Sequence, residues 1–220
     1  VEFKKLLYRD RSFGILKALL DSELLFLLLK PMEHTRHLAQ LDGYHKYSVD
    51  EYSLLALYHL ENIKDSFIKS LHSDLCADGK ILMKLVALMH DAGKGLVGDH
   101  SNIGANIFRA YASKIGLPQK AINMGVNLIK NHTIMNNIAN REDIYNQQVI
   151  LNFISHIGEK QALKLLYILT YCISNATNDG FYNSYNAKLL RELYEIALKS
   201  FDNSDENLLD EAARRVKKEN

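Results

Sequence analysis

Apolar residues recur at intervals of three and four along most of the chain, the period of an α-helix, and no stretch alternates apolar and polar over strand length. The pattern predicts helices over about 12–30, 49–72, 79–91, 100–115, 118–131, 143–157, 159–177 and 184–200, with a further one near 204–217. Chemical signals mark the breaks. Pro31 stops the first run, Ser48 in "SVDE" is an N-cap with Glu51 three residues on, "ADGK" turns the chain, and Gly116 followed by Pro118 ends one helix and starts another. There is no internal repeat and no linker rich in Gly, Ser or Pro, so the expected architecture is all-α, a single helical domain over residues 1–220.

Composition narrows the class. A chain of 220 residues can bury a sizeable core, and 47% hydrophobic with 24% charged residues is ordinary for a globular protein. The longest apolar run, "LLFLLL" at 24–29, falls far short of the roughly 20 residues a bilayer requires, so no membrane partner is expected. A net charge of +1, the absence of tryptophan and the lack of a basic-aromatic stripe argue against a nucleic-acid module. The C-terminal "DEAARRVKKEN" is mixed in sign and reads as a solvated helix end. Cys76 and Cys172 make no disulfide framework, and without a secretory signal the expected compartment is a reducing cytoplasm. The start at Val1, with no initiator methionine, points to a segment cut from a longer protein.

Of nine histidines, most have bland explanations. His34 and His37 share a polar stretch with no third ligand nearby and read as a solvated face, while His59, His72 and His156 each sit alone in helical runs. His90 and Asp91 differ. They end the apolar run "KILMKLVALMH" and are followed by "AGKG", so both side chains can converge where the helix stops. Neutral imidazole and carboxylate are preferred ligands of zinc and similar divalent ions, and Lys94 on the glycine-flanked turn can meet a phosphate oxygen. Asp99 and His100, then Asn131 and His132, follow in order.

With these residues in view, "HDAGKG" followed by "GDHS" resembles the signature of the HD superfamily of metal-dependent phosphohydrolases. More closely, "YHKYSVDEYSLLAL", "HDAGKGLVGDHSNIGA", "NHTIM", "LYILTYCISNATN" and "NSYNAKLLRELY" together resemble the HD domain of the bifunctional PII uridylyltransferase and uridylyl-removing enzymes, in order over about residues 15–200. The resemblance implies a helical domain that removes uridylyl groups from a PII-type nitrogen-signalling protein. It also implies flanks, a nucleotidyltransferase domain before it and ACT domains after it, which this chain does not contain.

Two positions depart from that family's pattern. Tyr52 in "VDEYS" stands where the family has a first histidine ligand, and Ile173 in "LTYCISNAT" where it has a last aspartate. A phenol is a poor substitute for imidazole, and isoleucine binds no metal. Ile173 falls on the apolar stripe of Ala162, Leu165, Leu166 and Leu169, where a carboxylate without its cation would be costly, so the two losses are physically consistent.

His90, Asp91, Lys94, Asp99, His100 and His132 survive, with Arg141 as a second candidate phosphate contact. Some HD enzymes hold a second metal on the shared aspartate and later histidines, so one reading has a divalent ion on Asp91, His100 and His132, with His90 as a further ligand. A second has a metal-free cationic pocket of His90, Lys94, His100, His132 and Arg141 holding a phosphate or nucleotide. A third has an inherited hydrogen-bond network without chemistry. The functions that follow are a phosphodiester hydrolase with Asp91 and Lys94 as catalytic residues, or a catalytically degenerate domain with a regulatory, nucleotide-binding or scaffold role.

Overall fold

In the computed structural model, which describes residues 2–40, 46–178 and 180–203, the chain is all-α and has no strand among those residues. The N-terminal part comprises α1 (Glu2–Leu7), α2 (Phe13–Asp21), α3 (Leu25–Leu28), a 3-10 segment (Lys30–Thr35), α4 (Val49–Glu61) and α5 (Ser66–Ser73). Then follow α6 (Ala77–Met89), α7 (His100–Lys114), α8 (Gln119–Lys130), α9 (Ile134–Arg141), α10 (Gln147–Ile157), α11 (Lys160–Thr177) and α12 (Ser184–Asn203).

Two helices are buried on every face. All of residues 81–89 in α6 are buried, as is the run 165–174 in α11, and a helix without a polar face must have neighbours on all sides. The rest of the fold supplies those neighbours. α4 lies along both α6 and α11, α8 packs on α6 and α11, α7 pairs with α8, and α12 closes over α9, α10 and α11. No described helix is long and apolar enough to cross a membrane.

The structure divides two of the predicted helices. The run expected at 12–30 stops at Asp21, where Glu23 takes a left-handed conformation (φ 60°), and resumes as short α3. Pro31 does not stop that helix; it lies in the first turn of the 3-10 segment, where a missing N–H costs nothing. The run expected at 49–72 breaks between Glu61 and Ser66. There Asn62 bonds back to the Tyr58 carbonyl (2.8 Å), and Asp65 caps α5 by accepting from the Ile68 N–H (2.9 Å). Both side chains compete with helix continuation, as short polar residues do.

Other boundaries shift. "ADGK" is the first turn of α6 rather than a reversal, α1 and α9 arise where no helix is predicted, and α10 starts at Gln147 because Asn146 caps it through the Gln148 N–H (2.9 Å). Ser48 does occupy the N-cap of α4, its hydroxyl donating to Glu51 at 3.0 Å, and Pro118 the N-cap of α8. The helix expected near 204–217 lies outside the described residues.

Candidate metal centre

Because α6 is buried to its last residue, the chain leaves it inside the molecule. His90, at its C-cap, and Asp91 are 0% and 1% exposed. The following turn brings Lys94 back so that its ammonium sits 2.9 Å from Asp91 Oδ2. Asp99 caps α7, its Oδ1 accepting from Ser101 N–H (2.8 Å) and Asn102 N–H (3.0 Å), and thereby starts that helix with His100 facing Asp91 across the turn. His132 arrives from the turn after α8 and is likewise buried. One ligand atom each of Asp91, His100 and His132 lies within 4.8 Å of the others, a spacing one metal ion can bridge.

The hydrogen bonds of the rings define what they present. His90 Nδ1 is 2.9 Å from the Ala87 carbonyl and His132 Nδ1 is 2.7 Å from the Ile129 carbonyl. A carbonyl can only accept, so both Nδ1 atoms carry the proton and a neutral ring leaves a lone pair on Nε2. Those Nε2 atoms face the carboxylate: His90 lies 3.4 Å from Asp91 Oδ2 and His132 3.5 Å from Oδ1. Neither His90 Nε2 nor Asp91 Oδ1 has a hydrogen-bond partner, although both are buried. Ring nitrogens facing carboxylate oxygens at this spacing need a positive charge between them, which a proton on Nε2 or a metal ion supplies.

The charges agree. Burial pushes the Asp91 carboxyl up, but the charges and close approach of His90 and His132 outweigh it and hold it well below the usual carboxylate range. Burial and the charge of His132 keep His100 below the usual imidazole value, against the opposing pull of Asp91. The positive charge that holds Asp91 ionised comes here from protonated rings, and a bound divalent ion would supply it in their place with the rings neutral. The residues present therefore fit a divalent ion.

His90 stands beside the group of three rather than in it. Arg141 is the exposed last residue of α9, and among the described residues no hydrogen bond or ion pair joins it to this group. Tyr52 and Ile173 meet each other. The Tyr52 hydroxyl donates to the Ile173 carbonyl at 3.1 Å, while the phenol edge packs on His90 (5.2 Å between ring centres). The two substituted positions thus form a direct clamp between α4 and α11. Tyr52→Phe should lower stability by about 1 kcal/mol and leave metal binding unchanged, read as a shifted urea midpoint at constant slope; loss of a bound ion would make Tyr52 part of the centre.

Two contributors carry no sequence signal. Gln40 accepts a hydrogen bond from Lys94, and His34 Nε2 donates to the Ala92 carbonyl at 2.9 Å, so the segment before α4 braces the turn that holds Asp91. Both lie more than fifty positions from the motif, and only folding brings them to it. His34 is therefore more than part of a solvated face.

This fold and site define the class. Residues 51–168 match the model of the HD domain family, more than half of the chain, and the chain belongs to that family. Its relatives include the bifunctional uridylyltransferase/uridylyl-removing enzymes of Pseudomonas putida and Pseudomonas entomophila, each 35% identical over 211 residues. That of Pseudomonas syringae pv. tomato is 34% identical over 192 residues, or 85% of this chain. The Pseudomonas putida match covers 93% of this chain but 22% of the relative, so the chain spans about a fifth of the length of these enzymes.

Proposed function

We propose that this chain is a metal-dependent phosphohydrolase domain that cleaves a nucleotidyl phosphodiester, with a uridylyl group on a PII-type signalling protein as its substrate. The observation that carries this reading is the group of three ligand residues, Asp91, His100 and His132, with Asp91 Oδ1 buried and unpartnered within it and His90 Nε2 buried and unpartnered beside it. The similarity to the uridylyl-removing enzymes supports the choice of bond and leaving group.

Asp91, His100 and His132 would hold the ion, three protein ligands leaving positions open as a catalytic site requires. Bound there, a divalent ion supplies Lewis acidity, lowering the pKa of a water and polarising a phosphoryl oxygen. Asp91 supplies the negative charge that attracts the ion, and the carbonyls of Ala87 and Ile129 fix His90 and His132 with their lone pairs inward. Lys94 bonds to Asp91 and Gln40, which occupies two of its three N–H groups and leaves the third for a phosphoryl oxygen. The non-catalytic reading rests on Tyr52 and Ile173, and neither belongs to the group of three.

The test is hydrolysis of uridylylated PII with Mn²⁺ or with chelator. Turnover should require the ion and fall at least about 100-fold in Asp91→Ala, with a loss of about 10–100-fold in Lys94→Ala, which acts from beside the ligands. Equal, metal-independent hydrolysis by wild type and Asp91→Ala would overturn the proposal.

A further inference from the structure

A large cleft lies at the other end of α6 from the metal centre. It encloses about 730 Å³ between the α1–α2 connection, the end of α4, α5 and the first turns of α6. That volume falls in the range of small-molecule and cofactor sites. At a rise of 1.5 Å per residue, Lys80 on its wall is roughly 17 Å along the chain axis from Asp91.

The walls are strongly cationic. Arg9, Arg11, Lys64, Lys69, Lys80 and Lys84 line the cleft, against the acids Asp10 and Glu61. Glu61 is already neutralised, because the Lys84 ammonium lies 3.0 Å from it with both side chains buried. Among the described residues, none of the other five cations has a carboxylate partner. In a protein whose net charge is +1, such a concentration of like charge around one concavity is not a composition effect. It raises the local potential, opposes folding by mutual repulsion, and is relieved by a polyanion.

Two further features refine the ligand. Tyr8 and Tyr58, 53% and 38% exposed, border the cleft beside Leu60 and Ile81, giving ring and apolar surface next to the cations. His72 also lines it, with a buried Nε2 that has no hydrogen-bond partner. Burial, with the charges of Lys80 and Lys84, holds that imidazole below its usual pKa, so it adds no further positive charge to the wall. A ligand matching this wall carries several negative charges at one end and a flat, polar-edged ring at the other.

We propose that this cleft is a second ligand site, distinct from the metal centre, that binds a nucleoside polyphosphate. Lys64 and Lys69, at the α4–α5 junction, and Arg9 and Arg11, before α2, take the phosphates; the exposed tyrosines face the nucleoside. The Lys84–Glu61 pair is the floor of the site and not a contact.

The test is calorimetric titration of the chain with ATP in the presence of chelator, which removes metal-dependent binding at Asp91. Wild type and Asp91→Ala should bind ATP alike, and inorganic tripolyphosphate should bind at least about tenfold more weakly than ATP. The exposed pair Lys64→Glu/Lys69→Glu should weaken ATP binding at least about tenfold while unfolding at the wild-type temperature. The proposal is overturned by no binding to wild type, by undiminished binding to the double variant, or by loss in Asp91→Ala, which would place the ATP at the metal centre. Tripolyphosphate binding as tightly as ATP would overturn recognition of a nucleoside.

Discussion

Gly93→Ala is expected to destabilise the protein by about 3 kcal/mol or more, the upper end of what overpacking costs, and to abolish metal binding with it. A Cβ at Gly93 would stand 2.0 Å from the His100 carbonyl oxygen and 2.7 Å from the Gly104 N–H nitrogen. Both are backbone atoms of α7, so no side chain can rotate away. α7 itself must move, and His100 begins it. Gly104 makes the approach reciprocal, since a Cβ there would lie 3.1 Å from the Gly93 nitrogen. The natural control is Gly14→Ala, where nothing lies within 4 Å and the loss of backbone freedom in the unfolded chain should be neutral or slightly stabilising. Chemical unfolding of both variants reads the difference, and a Gly93→Ala variant within about 1 kcal/mol of wild type would show that α7 does not pack as described.

The second large effect is expected at Lys84. Its ammonium is 3.0 Å from Glu61, with the two side chains 7% and 2% exposed, and donates to the carbonyls of Arg9 (2.5 Å) and Asp10 (3.2 Å). Glu61 in turn accepts from the N–H groups of Ser12 (2.7 Å) and Phe13 (3.0 Å), where α2 begins. The pair ties the start of the chain to α4 and α6. Lys84→Met leaves a buried carboxylate without its cation and should cost about 3–5 kcal/mol. Replacing both, as Lys84→Met with Glu61→Leu, should cost clearly less than the two single changes added together, because the charge left unpaired is then removed too. Strict additivity would mean the two groups do not interact.

Much of this arrangement was legible in the pattern of residues. The helical period located the long central helices, because α6 and α11 carry long apolar runs and α7 and α8 are separated by Gly116 and Pro118. The convergence of Asp91, His100 and His132 followed from a histidine and aspartate at the end of an apolar helix and from the family pattern. What escaped depends on competition or on distance. Asn62 and Asp65 break a helix whose apolar period continues through them, and Glu23 does so by a backbone conformation no motif announces. The bond between Tyr52 and the Ile173 carbonyl joins residues 121 positions apart, and the role of Gly93 is a close approach between two backbones. Arg141 stands out for its charge and position in the chain, and it ends α9 exposed, with no hydrogen bond or ion pair to the centre among the described residues.

The clamp between Tyr52 and Ile173 gives physical sense to the departures from the family pattern. Where the resemblance implies a carboxylate and an imidazole, this chain has a buried hydrogen bond and a hydrocarbon, both of which stabilise the packing of α4 on α11. The group of three, Asp91, His100 and His132, is left with its ionised aspartate, and its capacity to hold a divalent ion is what the proposed chemistry requires.

It is tested most directly by metal content, measured by mass spectrometry on tag-free protein purified without chelator, beside Asp91→Ala prepared in the same way. Close to one divalent ion per chain in the wild type and none in the variant is the expected result. An ion-free wild type that also takes up none on dialysis against Mn²⁺, Zn²⁺ or Fe²⁺, or an ion retained undiminished in Asp91→Ala, would contradict the metal centre.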